Sequence, residues 1–591
     1  MCGIVAVCNS KNKISKDTLS EMKNSLKHRG PCADGIRIEL GGRLGIGNTR
    51  LALVDLCDRS DQPLEIDNFI ITFNGEIYNH KELRKELQGH GYNFKTTSDT
   101  EVIIRGFQKW GDKALNRFNG CFAFALFDRK NKKLYVVRDP IGKKQIVYTQ
   151  ASNGDWVFAS EIKALLKHPF VKAEPNIDRF IADLIFKFFS DKQETHFKNI
   201  LHVLPGHYLL FDLEKGSTLR IKKYWDIDKI TSEDYTKKDI PNITDNLEKL
   251  LRDSVKLRMD ADTEVGTILS GGIDSSLITK IASECHNQKY KKPLHCFTIK
   301  YDYGENKDLK YTKLLCGQMK NVKLHEIEIK NDISINEFDK VTFSLEEPLL
   351  DKVFIPQFKN YEYAQKAGLR AVINGQGADE LWLGYLFFYD LLRLPAKDIN
   401  YQGLKKYWSR QFKFSAFIKS KEMKDRVNKI ITENLRKNFV PYKGADKTES
   451  LVNFSIKTHL QTMFMQEDRL SMANGVEVRL PHVDLRIIKL ALSIPSLLKI
   501  LDKKEKYILR KLGKRLLPKE IYTRRKMAFP DPPSQYDRRT EALFNKKEIF
   551  ESKILGEIFQ GNIENFFYKL PIRSRWELLA ISRMEKIFFS K

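Results

Sequence analysis

Two short stretches combine residue types that can do chemistry. One is TILSGGIDSSL, residues 267–277, where an apolar run ends at Leu269 and Ser270, Gly271, Gly272, Ile273, Asp274 and Ser275 lead into a helical pattern. Glycines at such a place let backbone amides approach an anion closely, and the N-terminus of the following helix adds positive potential. The hydroxyls of Ser270 and Ser275 can donate to phosphate oxygens, and Asp274 can hold Mg2+. The GKS or GKT ending of a Walker A loop is missing. The other stretch is MCGIVAV, at the head of the sequence. Removal of Met1 leaves the α-amine of Cys2 beside its thiol, where it can act as the activating base. A small hydrophobe opening a strand is the alternative reading of these residues alone.

Further on, AVINGQGADELWLGY (371–385) begins with another apolar run. Gly375 and Gly377 let the chain turn at the C-terminal end of a strand, where α/β folds place their sites. Asp379 and Glu380 are expected to turn their carboxylates toward that edge, as the second wall of one site shared with the loop. Such an arrangement needs a parallel sheet. EVGTILS, LHCFTI, LHEIEI and LRAVING supply strands with helical segments between them, and Leu277, Ile278, Ile281 and Ala282 share one face of the first helix. From about residue 400 the pattern is mostly helical. The first part differs: FIITFNGEIY, CFAFALFD, KLYVVRD, WVFAS and HYLLFDL are short apolar or alternating runs with turn residues between them, which predicts a β-rich domain with intervening helices. A polar stretch closed by a proline then reads as a linker, giving a first domain over 1–225, a linker over 226–242 and a second domain over 243–591.

A chain of 591 residues exceeds one ordinary core, so two or more domains are expected. No stretch approaches the length of a membrane span, and the head of the chain lacks a secretory pattern, which predicts a cytoplasmic protein with no membrane partner. The eight cysteines are scattered without a CxxC pair, against a disulfide framework or a zinc site and in favour of a reducing compartment. The net charge of +26 invites a nucleic-acid reading, but the basic residues are mostly Lys interleaved with Glu and Asp, as on solvated helix faces. Their densest run begins at Lys503 and reads as surface bias plus a phosphate-facing patch, so no nucleic-acid partner is expected.

The SGGIDSS loop is similar to the SGGxDS pyrophosphate loop of ATP pyrophosphatases, and nearly the whole chain resembles the glutamine-dependent asparagine synthetases. The resemblance implies a class-II glutamine amidotransferase domain, an α+β N-terminal-nucleophile αββα sandwich. It implies next an α/β parallel-sheet ATP pyrophosphatase-like domain with a helical C-terminal part. In the first half it rests on Cys2, HRGP (28–31), RLALVDL from Arg50, FNGEIYNH, SDTE, RDPIGKKQ and FASEIKALL. It makes Cys2 the nucleophile and Asn74 and Gly75 oxyanion donors. Glutamine is then bound by Arg50, Asn74, Glu76 and Asp99, with Arg50 at its carboxylate and Asp99 at its α-ammonium. In the second half it rests on the loop, GQGADE, QEDRLSMANGVEVRLP and KEKYILRK. It places Ile268, Ser270, Gly271, Gly272, Asp274, Ser275, Ile299, Asn374 and Gly375 at ATP, Asp274 and Asp379 at Mg2+, and Lys506 as a catalytic, phosphate-stabilising lysine. Gln376, Asp379 and Glu380 are the remaining synthetase-site candidates. RRKMAFPDPP corresponds loosely to the family's RxKxGF segment, with Ala528 where Gly is usual.

The expected reaction has two halves. Glutamine hydrolysis at Cys2 releases ammonia, and ATP with Mg2+ adenylates a carboxylate, aspartate by default, which ammonia then converts to an amide. The family also implies an internal ammonia path and a homodimer. Two departures stand out: Gln376 replaces a family Glu and cannot take a proton at neutral pH, and GKKQ (142–145) stands where GIKP is typical. The nearest rival keeps the chemistry and changes the acceptor to a sugar acid, a peptide or a secondary metabolite. A tRNA-binding pyrophosphate-loop protein is the rival of another class. It should carry an RNA-binding extension or catalytic cysteines near the loop.

Overall fold

The computed structural model describes residues 2–9, 13–214, 218–302, 306–330, 333–385, 400–439, 447–502, 504–525, 543–561 and 563–590. Alternation in the opening strand Cys2–Cys8 builds the first layer interface. Ile4, Ala6 and Cys8 face a second sheet, while Val5 and Val7 face helices on the other side, the period of two that a strand imposes. This strand pairs antiparallel with Leu44–Arg50 on one side and Trp156–Ala159 on the other, inside a six-stranded sheet. A second six-stranded antiparallel sheet contains Phe69–Ile77, Gly120–Asp128, Lys133–Arg138 and His207–Asp212. The two sheets bury Ile46, Ile70, Ala125, Phe127 and Leu209 between them. Helices Lys16–Asn24 and Asp99–Trp110 close the outer faces, so the layers run helix, sheet, sheet, helix as expected.

The segment read as a linker is partly helical. A helix runs Ile240–Met259 with Pro241 in its first turn, where a missing N–H costs nothing and the fixed φ suits the helix. Beyond it lies a parallel five-stranded sheet in the order Val322–Ile329, Leu294–Tyr301, Val265–Ile268, Ala371–Ile373, Glu477–Arg479. Chain order reverses direction between Val265–Ile268 and Ala371–Ile373, which makes the C-terminal ends of those two strands the topological switch point. Helix Ile273–Lys289 follows the first of them and buries Leu277, Ile278, Ile281 and Ala282, the four residues placed on one face by periodicity. The described part beyond residue 400 is mostly helical, ending in Ile572–Phe588. No described helix is long and apolar enough to cross a membrane.

Candidate active sites

Cys2 begins the central strand of its sheet and is buried. Its backbone N–H donates to Asn74 Oδ1 at 3.1 Å, which leaves Asn74 Nδ2 buried with no hydrogen-bond partner. A buried N–H donor without a partner costs about 1–3 kcal/mol, so its presence next to a thiol is informative. Gly75 follows with φ of 148°, and a Cβ there would lie 2.2 Å from the Cys121 carbonyl oxygen, so only glycine brings the strand this close. Arg50, Glu76 and Asp99 line the same narrow cleft as Cys2. Burial raises the Cys2 thiol, although Arg50 and a hydrogen bond from the Leu51 backbone oppose it. Burial likewise pushes the Asp99 carboxyl up to about 6, against the Ile77 N–H that it accepts at 2.9 Å. Arg50 is held by Asp61 at 2.7 Å and by the carbonyls of Val54, Asp55 and Cys57.

The SGGIDSS loop and the Asn374–Gly377 turn meet at the switch point, in a cavity of about 330 Å³. Gly375 explains the contact. A Cβ on it would sit 2.5 Å from Ser275 N and 2.9 Å from Asp274 Cβ, so the turn can lie against the loop only without a side chain. Ser270 and Ser275 bond through their hydroxyls at 3.0 Å, and Ser275 Oγ also accepts the Ser270 N–H. Lys506 Nζ sits between two carboxylates, Asp274 and Asp379 Oδ1, the latter at 2.6 Å. Burial pulls this ammonium down, but the two carboxylates outweigh it and hold the group at about 12, charged at any physiological pH. Asp274 Oδ1 remains buried without a hydrogen bond, which fits a carboxylate that can also hold a divalent cation. Asp308, Arg524 and Arg525 line the same cavity, so the basic run does contribute to an anion-facing wall.

Two expectations need correction. Glu380 does not line the cavity: it is fully buried behind it, accepting from His459 Nδ1 at 2.7 Å and the Tyr385 hydroxyl at 3.1 Å. A five-residue helix, Ala378–Trp382, turns Asp379 and Glu380 apart, and it is His459 and Tyr385 that reach the cavity. Ile299, on the strand Leu294–Tyr301, does not line it either, whereas Ile268 does. Of RRKMAFPDPP, only Arg524 and Arg525 fall within the described residues; Ala528 lies outside them.

The structure adds residues that the motifs contained but did not single out. Arg29 of HRGP is fully buried and donates to the Cys2 carbonyl at 3.1 Å, to Glu161 at 2.7 Å and to Asp468 of the second half at 2.9 Å. Arg479, also from the second half, pairs with Glu76 at 3.0 Å and Glu477 at 2.7 Å. Burial pushes the Glu76 carboxyl up even so, while Lys144 and Arg479 outweigh burial at Glu477 and lower it to about 2. Glu467 lines the large cavity and bonds Asn374 and Tyr361.

A buried cysteine at the head of a four-layer sandwich is thus joined through buried ion pairs to a half that carries a glycine-turned loop at the switch point of a parallel sheet, the arrangement of a two-site enzyme. Residues 246–578 match the asparagine synthase family and residues 1–225 the glutamine amidotransferase domain. Asparagine synthetase [glutamine-hydrolyzing] 3 of Bacillus subtilis is 30% identical over 559 residues, covering 90% of this chain and 87% of the relative. Putative asparagine synthetase [glutamine-hydrolyzing] 2 of Methanocaldococcus jannaschii is 31% identical over 429 residues, 68% of this chain and 80% of that one. Amidase chyE of Penicillium rubens is 27% identical over 608 residues, 90% and 89% of the two chains. The chain belongs to the asparagine synthase family and is an ATP-dependent, glutamine-hydrolysing ligase.

Proposed function

We propose that the protein is a glutamine-hydrolysing asparagine synthetase, converting ATP, aspartate, glutamine and water to AMP, pyrophosphate, asparagine and glutamate. Residues 1–225 act as the glutaminase and 243–591 as the synthetase. With Met1 removed, the Cys2 thiol gives its proton to its α-amine and the thiolate attacks the glutamine amide carbon, the unpartnered Asn74 Nδ2 and the Gly75 N–H receiving the oxyanion. The C–N bond then breaks, ammonia leaving with that proton, and water hydrolyses the thioester to glutamate and the free thiol. Asp99 binds the substrate's α-ammonium and Arg50 its carboxylate. In the second cavity Lys506, Ser270, Ser275 and the loop amides hold the phosphates of ATP. Mg2+, when bound by Asp274 and Asp379, supplies charge neutralisation on the pyrophosphate leaving group. The aspartate carboxylate then displaces pyrophosphate, and ammonia displaces AMP.

The observation that carries the reading is the Asp274–Lys506–Asp379 cluster beneath a pyrophosphate-type loop, in one chain with the Cys2 cleft. Mass spectrometry of products from a carboxylate panel with glutamine and ATP tests it. Asparagine, AMP and pyrophosphate are expected; another amide with AMP moves the assignment to a different acceptor, and ADP as the stoichiometric product ends it. The amidase relative keeps a second acceptor class open, and Gln376 is the residue that favours it.

A further inference from the structure

We propose that Glu467 is the proton acceptor for ammonia attack in the synthetase cavity, and that Lys143 of the glutaminase half positions and tunes it. This rests on the adenylating ligase reading above. Gln376 lines the cavity and cannot accept a proton at neutral pH. Four carboxylates line it among the described residues: Asp274, Asp308, Asp379 and Glu467. Lys506 holds Asp274 and Asp379, and Arg524 holds Asp308. Glu467 has another geometry. Its Oε1 accepts from Asn374 Nδ2 and from the Tyr361 hydroxyl at 3.3 Å, while its Oε2 is buried and makes no hydrogen bond. Asn374 joins it to Gln376, because the other end of that amide, Oδ1, accepts the Gln376 N–H at 3.0 Å. Asn374 thus bridges Glu467 to the main chain of 376, and a carboxylate lines the same cavity as the Gln376 side chain.

The second departure in the sequence converges on the same place. Lys143, the first lysine of GKKQ, is fully buried with Nζ 3.7 Å from Glu467 Oε2 and without a hydrogen bond of its own. Lys144 Nζ lies 3.9 Å from Asp468 Oδ1. The charged and titratable groups that face Glu467 are thus Lys143, Lys144 and Tyr361. Burial raises the Glu467 carboxyl, and the Lys143 ammonium beside Oε2 opposes that rise. In the step proposed, the ammonia nitrogen bonds the acyl carbon of the adenylate, one N–H proton passes to Glu467 Oε2, and the C–O bond to AMP breaks with its electron pair leaving on AMP. Glu467 afterwards returns the proton to water.

The test compares full-length wild type, Glu467→Gln and Lys143→Met with ammonium as donor, rates being taken per free ammonia. ATP–pyrophosphate exchange reads adenylation, and amide formation reads the attack. Glu467→Gln should keep exchange within about threefold and lose amide formation by about 100-fold or more, the usual worth of general base assistance. A smaller loss of amide formation overturns the proposal, as does loss of exchange in parallel. Lys143→Met should keep exchange and move the acid limb of the amide-formation pH profile to higher pH, since the lysine no longer favours the ionised carboxylate. An unmoved limb overturns the proposal even where Glu467→Gln does not fold. Failure of the ligase reading is distinct: wild type itself then gives neither exchange nor amide.

Discussion

The two sites differ in how they hold charge before substrate arrives. In the cleft around Cys2, the buried acids Glu76 and Asp99 are raised by desolvation, and the Asn74 amide has a donor with nothing to bind. On the proposed reading, a substrate α-ammonium meets Asp99 and a developing oxyanion meets Asn74 Nδ2, Glu76 being already paired with Arg479. In the larger cavity the acids are already answered, because one ammonium, Lys506, sits between Asp274 and Asp379. Filling the first site adds a missing countercharge. On the proposed reading, the triphosphate enters the second site at a preformed cluster, where Lys506 would exchange a carboxylate partner for phosphate. The contrast also assigns the buried pairs between the halves: Arg479–Glu76 and Arg29–Asp468 tie the first site's walls to the second half, so that site is not built by its own half alone.

The sharpest way to break this comparison is to remove the nucleophile. Cys2→Ala should lower glutamine-dependent amide formation by about 10⁴-fold or more, the scale seen when a nucleophile is deleted, while ammonium-dependent synthesis continues. Loss of both activities would make the cysteine structural and the sites inseparable. Next in size, Lys506→Met should cut ATP–pyrophosphate exchange by about 10²- to 10³-fold, the worth of one preorganised charge on a leaving group. It removes the ammonium between Asp274 and Asp379, so the melting temperature should fall too, and added Mg2+ should recover part of it. A variant whose exchange is unchanged would show that the lysine merely neutralises the two acids.

A smaller effect separates the sites by pH. Asp99 must be ionised to hold an α-ammonium, and its carboxyl is raised to about 6. The KM for glutamine should therefore rise about tenfold per pH unit below about 6, whereas amide formation per free ammonia should not follow that limb. Asp99→Asn should remove the dependence and weaken glutamine binding at every pH. A KM that stays flat from pH 7 to 5 would mean that another group receives the ammonium.

Much of this was legible in sequence, and the exceptions have a common cause. The apolar strands Cys2–Cys8, Phe69–Ile77 and Gly120–Asp128 announce themselves because both their faces are buried. Two edge strands do not, although the edge strand Val322–Ile329 shows through LHEIEI. Thr218–Lys223 is a lysine-bearing, exposed edge, and Glu477–Arg479 is three residues long with two of them charged. The residues that line the two sites have local signatures: glycines at a strand end, a serine-rich loop, a cysteine at position 2. Residues that connect the halves have none, because Arg29 and Asp468, or Lys143 and Glu467, lie hundreds of positions apart and only tertiary structure brings them together. Glu380 failed for a related reason: sequence places it beside Asp379, and one short helix then turns it away from the cavity.

The smallest expected effect is the most discriminating one. If Gln376 stood where the only proton acceptor belongs, Gln376→Glu would raise amide formation by the full worth of a general base, about 10²- to 10⁴-fold. With Glu467 already serving, a second carboxylate adds little, and two acids lining one cavity would raise each other's affinity for protons. The single substitution should therefore change ammonium-dependent amide formation by less than about tenfold, with the acid limb displaced toward higher pH. In the Glu467→Gln background the same change should matter far more, because the new carboxylate is then the sole acceptor on that side of the cavity. Recovery of about tenfold or more in the double variant, against a near-neutral single, would place both positions on one proton's route. A large gain in the single variant would instead mean that the natural protein works without a base, and that its acceptor, held by the Gln376 amide, is not the one a carboxylate at that position would favour.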